Sequence, residues 1–120
     1  SDYQCKTVAT QKIKRKKNNN STLELIPAPD ILKTLQPQTN SKIIAFSLET
    51  NNGESEAKRK MMDKSADFIV LNYANEKGAG FEFNTNKVQI FSSNGEELSL
   101  KKDRKDRIAL KIFDFILAHT

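Results

Sequence analysis

Cysteine, histidine and glycine are all scarce in this chain of 120 residues, and each scarcity closes off a class of chemistry. Cys5 is the single cysteine, so neither an internal disulfide nor a cysteine metal site can form, and it reads as a small apolar filler. His119 is the single histidine, which argues against a histidine metal cluster and against a Ser-His-Asp triad. With four glycines the chain has no glycine-rich phosphate cradle: Gly78-Ala79-Gly80 lacks a third spaced glycine. Apolar runs are short as well. None approaches the roughly 20 residues of a membrane helix, and nothing at the start reads as a signal peptide. A soluble, cytoplasmic protein without a membrane partner is expected.

What is present fits one small domain or part of one, at 37% hydrophobic and 29% charged residues. Lysine and arginine exceed aspartate and glutamate by 20 to 15, a formal charge of +5 that favours anionic partners, phosphates first. The excess is local. Lys12, Lys14, Arg15, Lys16 and Lys17 fall together, and a polar tract, Asn18 to Ser21, follows them. Such a run suits a basic arm on nucleic acid, a targeting signal or a lid over a phosphorylated substrate. A solvated loop accounts for it equally well.

The first twenty residues show no sustained period and read as an irregular arm, with residues 22–120 as the α/β core. Thr22 to Ile26 alternates as a short strand, Pro27 and Pro29 forbid a regular ladder, and Asp30 is placed to cap a helix that Pro37 stops. Ser41 to Leu48 is a nearly continuous apolar run, as expected of a parallel strand covered on both faces. Strong helix formers from Glu54 to Ser65 and a second apolar strand from Ala66 to Asn72 complete a strand-helix-strand unit. Lys87 to Phe91 and Glu97 to Leu100 flank Asn94-Gly95, the signal of a two-residue hairpin turn. Asp103 to Ala118 carries Ile108, Ile112 and Ile116, with Ala109, Phe113 and Leu117, as one broad apolar helical face. Asp103 and Asp106 stand at its start, where the macrodipole favours them.

In open parallel sheets ligands gather beyond the carboxyl ends of the strands, here Glu49 to Asn52 and Asn72 to Asn75. Those amides and hydroxyls serve a ligand or merely end strands and cap helices. Lys60 and Lys64 lie four apart on one helical face, where a polyanion would relieve their repulsion. On spacing alone the plainer account is a solvated face with Glu56 pairing Lys60.

Beyond these patterns, a series of strings resembles the phosphopantothenoylcysteine synthetase family over nearly the whole chain. It comprises Asp2-Tyr3, Lys12-Ile13-Lys14-Arg15, Pro29-Asp30-Ile31-Leu32, Ala45-Phe46-Ser47-Leu48-Glu49-Thr50-Asn51, Lys60 with Lys64, and Ala66-Asp67 through Asn72. The resemblance implies a three-layer, Rossmann-like α/β fold with a parallel sheet and a C-terminal β-hairpin, present as a partial domain. It implies CTP-dependent ligation of cysteine to 4'-phosphopantothenate through an acyl-cytidylate in coenzyme A biosynthesis, with Mg2+ accompanying CTP. Asp2, Pro29, Asp30, Ile31, Leu32 and Phe46 match nucleotide-contacting positions. Lys60 and Lys64 match lysines on the CTP phosphates, and Lys12 matches the catalytic lysine of a mobile substrate-covering loop; no protein metal ligand is implied.

Arg15 departs from the family's lysine, and the family's glycine-rich N-terminal half has no counterpart among these residues. With Ser1 in first place, a cleaved or excised piece is expected, inactive by itself. In the complete enzyme the resemblance implies a homodimer and a phosphopantothenoylcysteine decarboxylase fused upstream. The runner-up is a basic nucleic-acid-binding module using Lys12 to Lys17, and a third reading is a regulatory domain that binds a nucleotide without catalysis.

Overall fold

The computed structural model describes residues 2–14, 21–74 and 83–120. Arg15, Lys16 and Lys17 of the basic run, Asn75 and the Gly78-Ala79-Gly80 segment lie outside the described residues.

Two sheets form. In the smaller, β1 (Tyr3–Cys5) pairs antiparallel with β2 (Leu25–Pro27). The arm expected to be irregular therefore contributes a strand, and Pro27 sits in the ladder opposite Tyr3 instead of preventing it. The neighbouring Ala28 N–H bonds the Asp2 carbonyl, so Tyr3 and Pro27 are a non-hydrogen-bonded pair and the missing proline N–H faces away from β1. Asp30 then caps α1 (Ile31–Leu35), its side chain accepting from the Lys33 N–H at 3.2 Å. Pro37 ends the α-helix, and the chain continues as one 3-10 turn, Gln36–Gln38.

The larger sheet has the order β3-β4-β5-β6. β3 (Ile44–Glu49) runs parallel to β4 (Phe68–Tyr73), with α2 (Gly53–Asp63) between them in sequence. β5 (Thr85–Ser92) and β6 (Glu97–Arg104) add an antiparallel hairpin, and α3 (Lys105–Ala118) closes the chain. β4 alternates between two cores, as a strand's period of two requires. Phe68 and Val70 pack with Val88, Ile90 and α3 residues Ile108, Ile112, Phe115 and Ile116. Ile69 and Leu71 pack with Ala45, Phe91 and α2 residues Ala57 and Met61. The sheet is thus the middle of three layers. Each fully buried Ile, Leu or Val contributes roughly 1.5–3 kcal/mol relative to exposure.

Three expectations are corrected by this arrangement. Among the described residues β3 is fully covered on one face only: Ala45 and Ser47 are buried, whereas on the other face Ile44 packs against the α3-side core but Phe46 is 68% and Leu48 48% exposed. It is an edge strand, and α3 lies over β5 and β6. On α3, Phe113 and Leu117 are exposed with Leu110, while Phe115 is buried in their place. The apolar residues therefore exceed one face. The hairpin turn has three residues rather than two, because Gly95 N–H closes on the Ser92 carbonyl and Ser92 N–H on the Glu96 carbonyl. Gly95 supplies the positive φ, +98°, that such a loop needs in its last position.

Candidate functional site

Lys60 in the last turn of α2 and Lys64, which caps its C-terminus, are four apart, but neither is paired within the helix. Lys60 Nζ donates to Glu49 Oε1 at 2.6 Å, and the Ser47 hydroxyl donates to the same oxygen. Ser47 and Glu49 stand two apart on β3 and so point to the same side. Glu56, expected beside Lys60, instead takes Arg59 through hydrogen bonds of 3.1 and 2.9 Å. Lys64 Nζ lies 3.2 Å from Asp30 Oδ2. By contrast Lys58 pairs with Glu54 one turn earlier, at 2.6 Å, the ordinary exposed helix pair.

The carboxylates respond to these neighbours. Burial pushes the Glu49 carboxyl up, but hydrogen bonds from Lys60 and Ser47 and the nearby charges outweigh it and hold it below its ordinary value. The Lys33 backbone N–H, then the Lys64 ammonium, hold the Asp30 carboxyl low.

Around the Lys64–Asp30 pair lies a cleft of about 370 Å³ lined by Asp2, Ala28, Pro29, Asp30, Ile31, Leu32 and Lys64. Its assembly is local. The Ala28 N–H donates to the Asp2 carbonyl at 2.9 Å, extending the β1–β2 ladder and setting Asp2 beside 28–30. Pro29 favours extended geometry at Ala28, and Asp30 turns the chain into α1. Leu32 anchors that helix against the α2-side core.

Six of the nine residues singled out in the sequence line this one cleft: Asp2, Pro29, Asp30, Ile31, Leu32 and Lys64. Its acidic groups can accept from amino or hydroxyl donors, and Lys64 can meet an anion. An entering phosphate competes with Asp30 for that lysine. Lys60, one turn earlier, reaches the carboxyl end of β3 through Glu49 and is not in the lining. Phe46 projects from the opposite face of β3 to Ala45 and Ser47, and Lys12 is exposed in the arm.

Glu49 is the residue whose partnership sequence reasoning missed. Its signal lies in the Ser-x-Glu alternation at the end of an apolar strand. Asn72, expected in the loop after the strand, belongs to β4 and is engaged by its neighbours: it donates to the Ser47 carbonyl at 3.4 Å and accepts from Asn86 at 2.5 Å. These bonds are what a strand-ending amide makes. A larger cavity of about 500 Å³ lies between the end of α2 and the β5–β6 turn, lined by Met61, Met62, Phe91 and Glu96 among others. Its cation, Lys58, is held by Glu54, Glu97 and the Phe91 ring, so it offers an anion less than the Asp30 cleft does. Among the described residues no helix is long and apolar enough to cross a membrane.

Comparison with known proteins agrees with the motif series. The DNA/pantothenate metabolism flavoprotein C-terminal domain family matches residues 1–119. The coenzyme A biosynthesis bifunctional protein CoaBC of Vibrio cholerae is 33% identical over 96% of this chain. That of Bacillus subtilis is 36% identical over 98%. The chain spans 29% of the length of each of these relatives. The crystal structure of the C-terminal domain of a CoaBC protein superposes with a TM-score of 0.67 at 33% identity, over 80% of this chain and 46% of that one. No finding supports the nucleic-acid alternative. The match over nearly every residue establishes that the chain belongs to the DNA/pantothenate metabolism flavoprotein C-terminal domain family.

Proposed function

We propose that this chain, within a longer protein of the CoaBC kind, supplies part of a synthetase that joins cysteine to 4'-phosphopantothenate using CTP, on the route to coenzyme A. The observation that carries the reading is the single cleft that collects Asp2, Pro29, Asp30, Ile31, Leu32 and Lys64 from three separate stretches of the sequence. The family and the bifunctional relatives support it.

In this reaction the substrate carboxylate attacks the CTP α-phosphate, forming an acyl-cytidylate as pyrophosphate leaves. The cysteine amine then attacks the acyl carbon, and CMP leaves with the bonding pair. Charge accumulates on phosphate oxygens in the first step, which fixed cations stabilise best where water is excluded. Lys60 and Lys64 take that role. Asp2 and residues 29–32 hold the nucleoside and Lys12 closes over the activated substrate; the family resemblance alone gives Phe46 a nucleotide contact, since it projects from the other face of β3. Magnesium would accompany the CTP triphosphate, offsetting its negative charge. A homodimer and a fused decarboxylase belong to the same proposal, as does inactivity of these 120 residues alone.

The test is pyrophosphate release by the complete protein with each nucleoside triphosphate, with and without 4'-phosphopantothenate. Release from CTP that requires the acid supports the synthetase. Binding of CTP without release would instead favour a regulatory nucleotide-binding domain.

A further inference from the structure

We infer that Glu49 is a positioning residue of the nucleotide site, fixing the Lys60 ammonium at the carboxyl end of β3 with Ser47 bracing its carboxylate. The inference rests on the proposed phosphate role of Lys60. Its own basis is geometric.

Glu49 Oε1 receives both the Lys60 ammonium, at 2.6 Å, and the Ser47 hydroxyl. The Glu49 side chain is 13% exposed, less than the ion-paired Asp103 at 24% or Asp67 at 30%. Ser47 is itself buried, at 4%. The backbone beneath is equally fixed, because Glu49 pairs with Tyr73 in the parallel ladder and its carbonyl accepts the Ala74 N–H at 2.8 Å. The carboxylate is therefore a rigid anchor, whereas Lys60 ends a flexible four-carbon stem. An anchored ammonium meets a phosphate with that freedom already restricted.

On the same helix the exposed Arg59–Glu56 pair joins neighbours within the helix, and Lys58 divides between Glu54 one turn earlier, at 2.6 Å, and the exposed Glu97 of β6, at 3.7 Å. Lys60 and Lys64 both reach carboxylates on other elements, Glu49 on β3 and Asp30 before α1. Their four-residue spacing then becomes a defined pair of charges and not a fluctuating one.

A double-substitution cycle in the complete protein separates positioning from simple structural support. Glu49→Gln keeps the size and an acceptor for Ser47, so the fold is retained; thermal unfolding checks this. We expect Glu49→Gln to lower kcat/KM for CTP about tenfold while the KM for cysteine stays unchanged, and Lys60→Gln to lower it at least as much. The double variant should be no worse than Lys60→Gln alone, because Glu49 acts through Lys60. Losses that multiply in the double variant, an unaltered Glu49→Gln enzyme, or an equal rise in the KM for cysteine would overturn the assignment. An unaffected Lys60→Gln variant would overturn it too, and would in addition remove Lys60 from the proposed phosphate site.

Discussion

A β-carbon built on Gly53 would stand 2.7 Å from Cε1 of Tyr73. Gly53 opens α2 directly after β3, and Tyr73 ends β4, so this close approach seats the crossover helix on the parallel pair that carries Glu49. The Tyr73 hydroxyl donates to Gln89 at 3.1 Å, which holds the ring in place on the sheet.

Gly53→Ala should therefore destabilise by about 1–3 kcal/mol, the usual cost of overpacking. Combining it with Tyr73→Leu should recover part of that loss by clearing the ring. Urea unfolding midpoints measure both. An unchanged midpoint in Gly53→Ala would mean that the ring moves aside at no cost.

Acid should weaken the fold through Glu49 and Asp67. Burial raises the Asp67 carboxyl, but the Ile43 N–H at 2.9 Å and Lys42 at 3.0 Å bring it below its ordinary value. Both groups thus have folded values under their unfolded ones, roughly 3.9 for Asp and 4.3 for Glu. Their stabilisation is fully present above those unfolded values and is lost as pH falls through the folded ones. Stability measured from about pH 6 down to about pH 2 should fall less steeply in Asp67→Asn and Glu49→Gln than in the natural sequence. Parallel curves for all three would contradict the assignment of these carboxylates.

Much of this framework is legible in the sequence, and the parts that are not share a cause. β4 reads as a strand buried on both faces because its neighbours, α2 and α3, are encoded in the same chain. β3 carries a similar apolar run, yet its Phe46 and Leu48 are exposed, since edge position depends on strand order and not on local pattern. Asp103 shows the same limit: it belongs to β6 and not to the helix, but still meets α3 through Lys111 at 3.0 Å. Asp30 is identifiable as a cap from the residues after it, whereas its second partner, Lys64, stands far along the chain on α2 and becomes its neighbour only in the fold.

Lys64→Gln in the complete protein should raise the KM for CTP more than that for cysteine. Removing a cation from a partly desolvated phosphate costs on the order of 1.5–3 kcal/mol, or roughly ten- to a hundredfold. Steady-state kinetics with each substrate varied separately decides it. Unchanged CTP kinetics would return Lys64 to a capping partner of Asp30.

Lys12→Gln should behave differently, since a residue that closes over the activated substrate contributes most after closure. CTP affinity should survive, while conversion of the cytidylate to the cysteine amide falls about a hundredfold. Rapid-quench kinetics that follow both steps would show it. Wild-type rates for both species would leave Lys12 a solvated residue of the arm.

The most direct test of the synthetase reading is a single turnover of the complete protein with CTP labelled at the α-phosphate and 4'-phosphopantothenate, first without and then with cysteine. The account predicts a labelled acyl-cytidylate that accumulates to a level comparable with the enzyme sites without cysteine and discharges as CMP when cysteine is added. Phosphopantothenoylcysteine formed with no labelled acyl-cytidylate, or label released only as CDP, would contradict it.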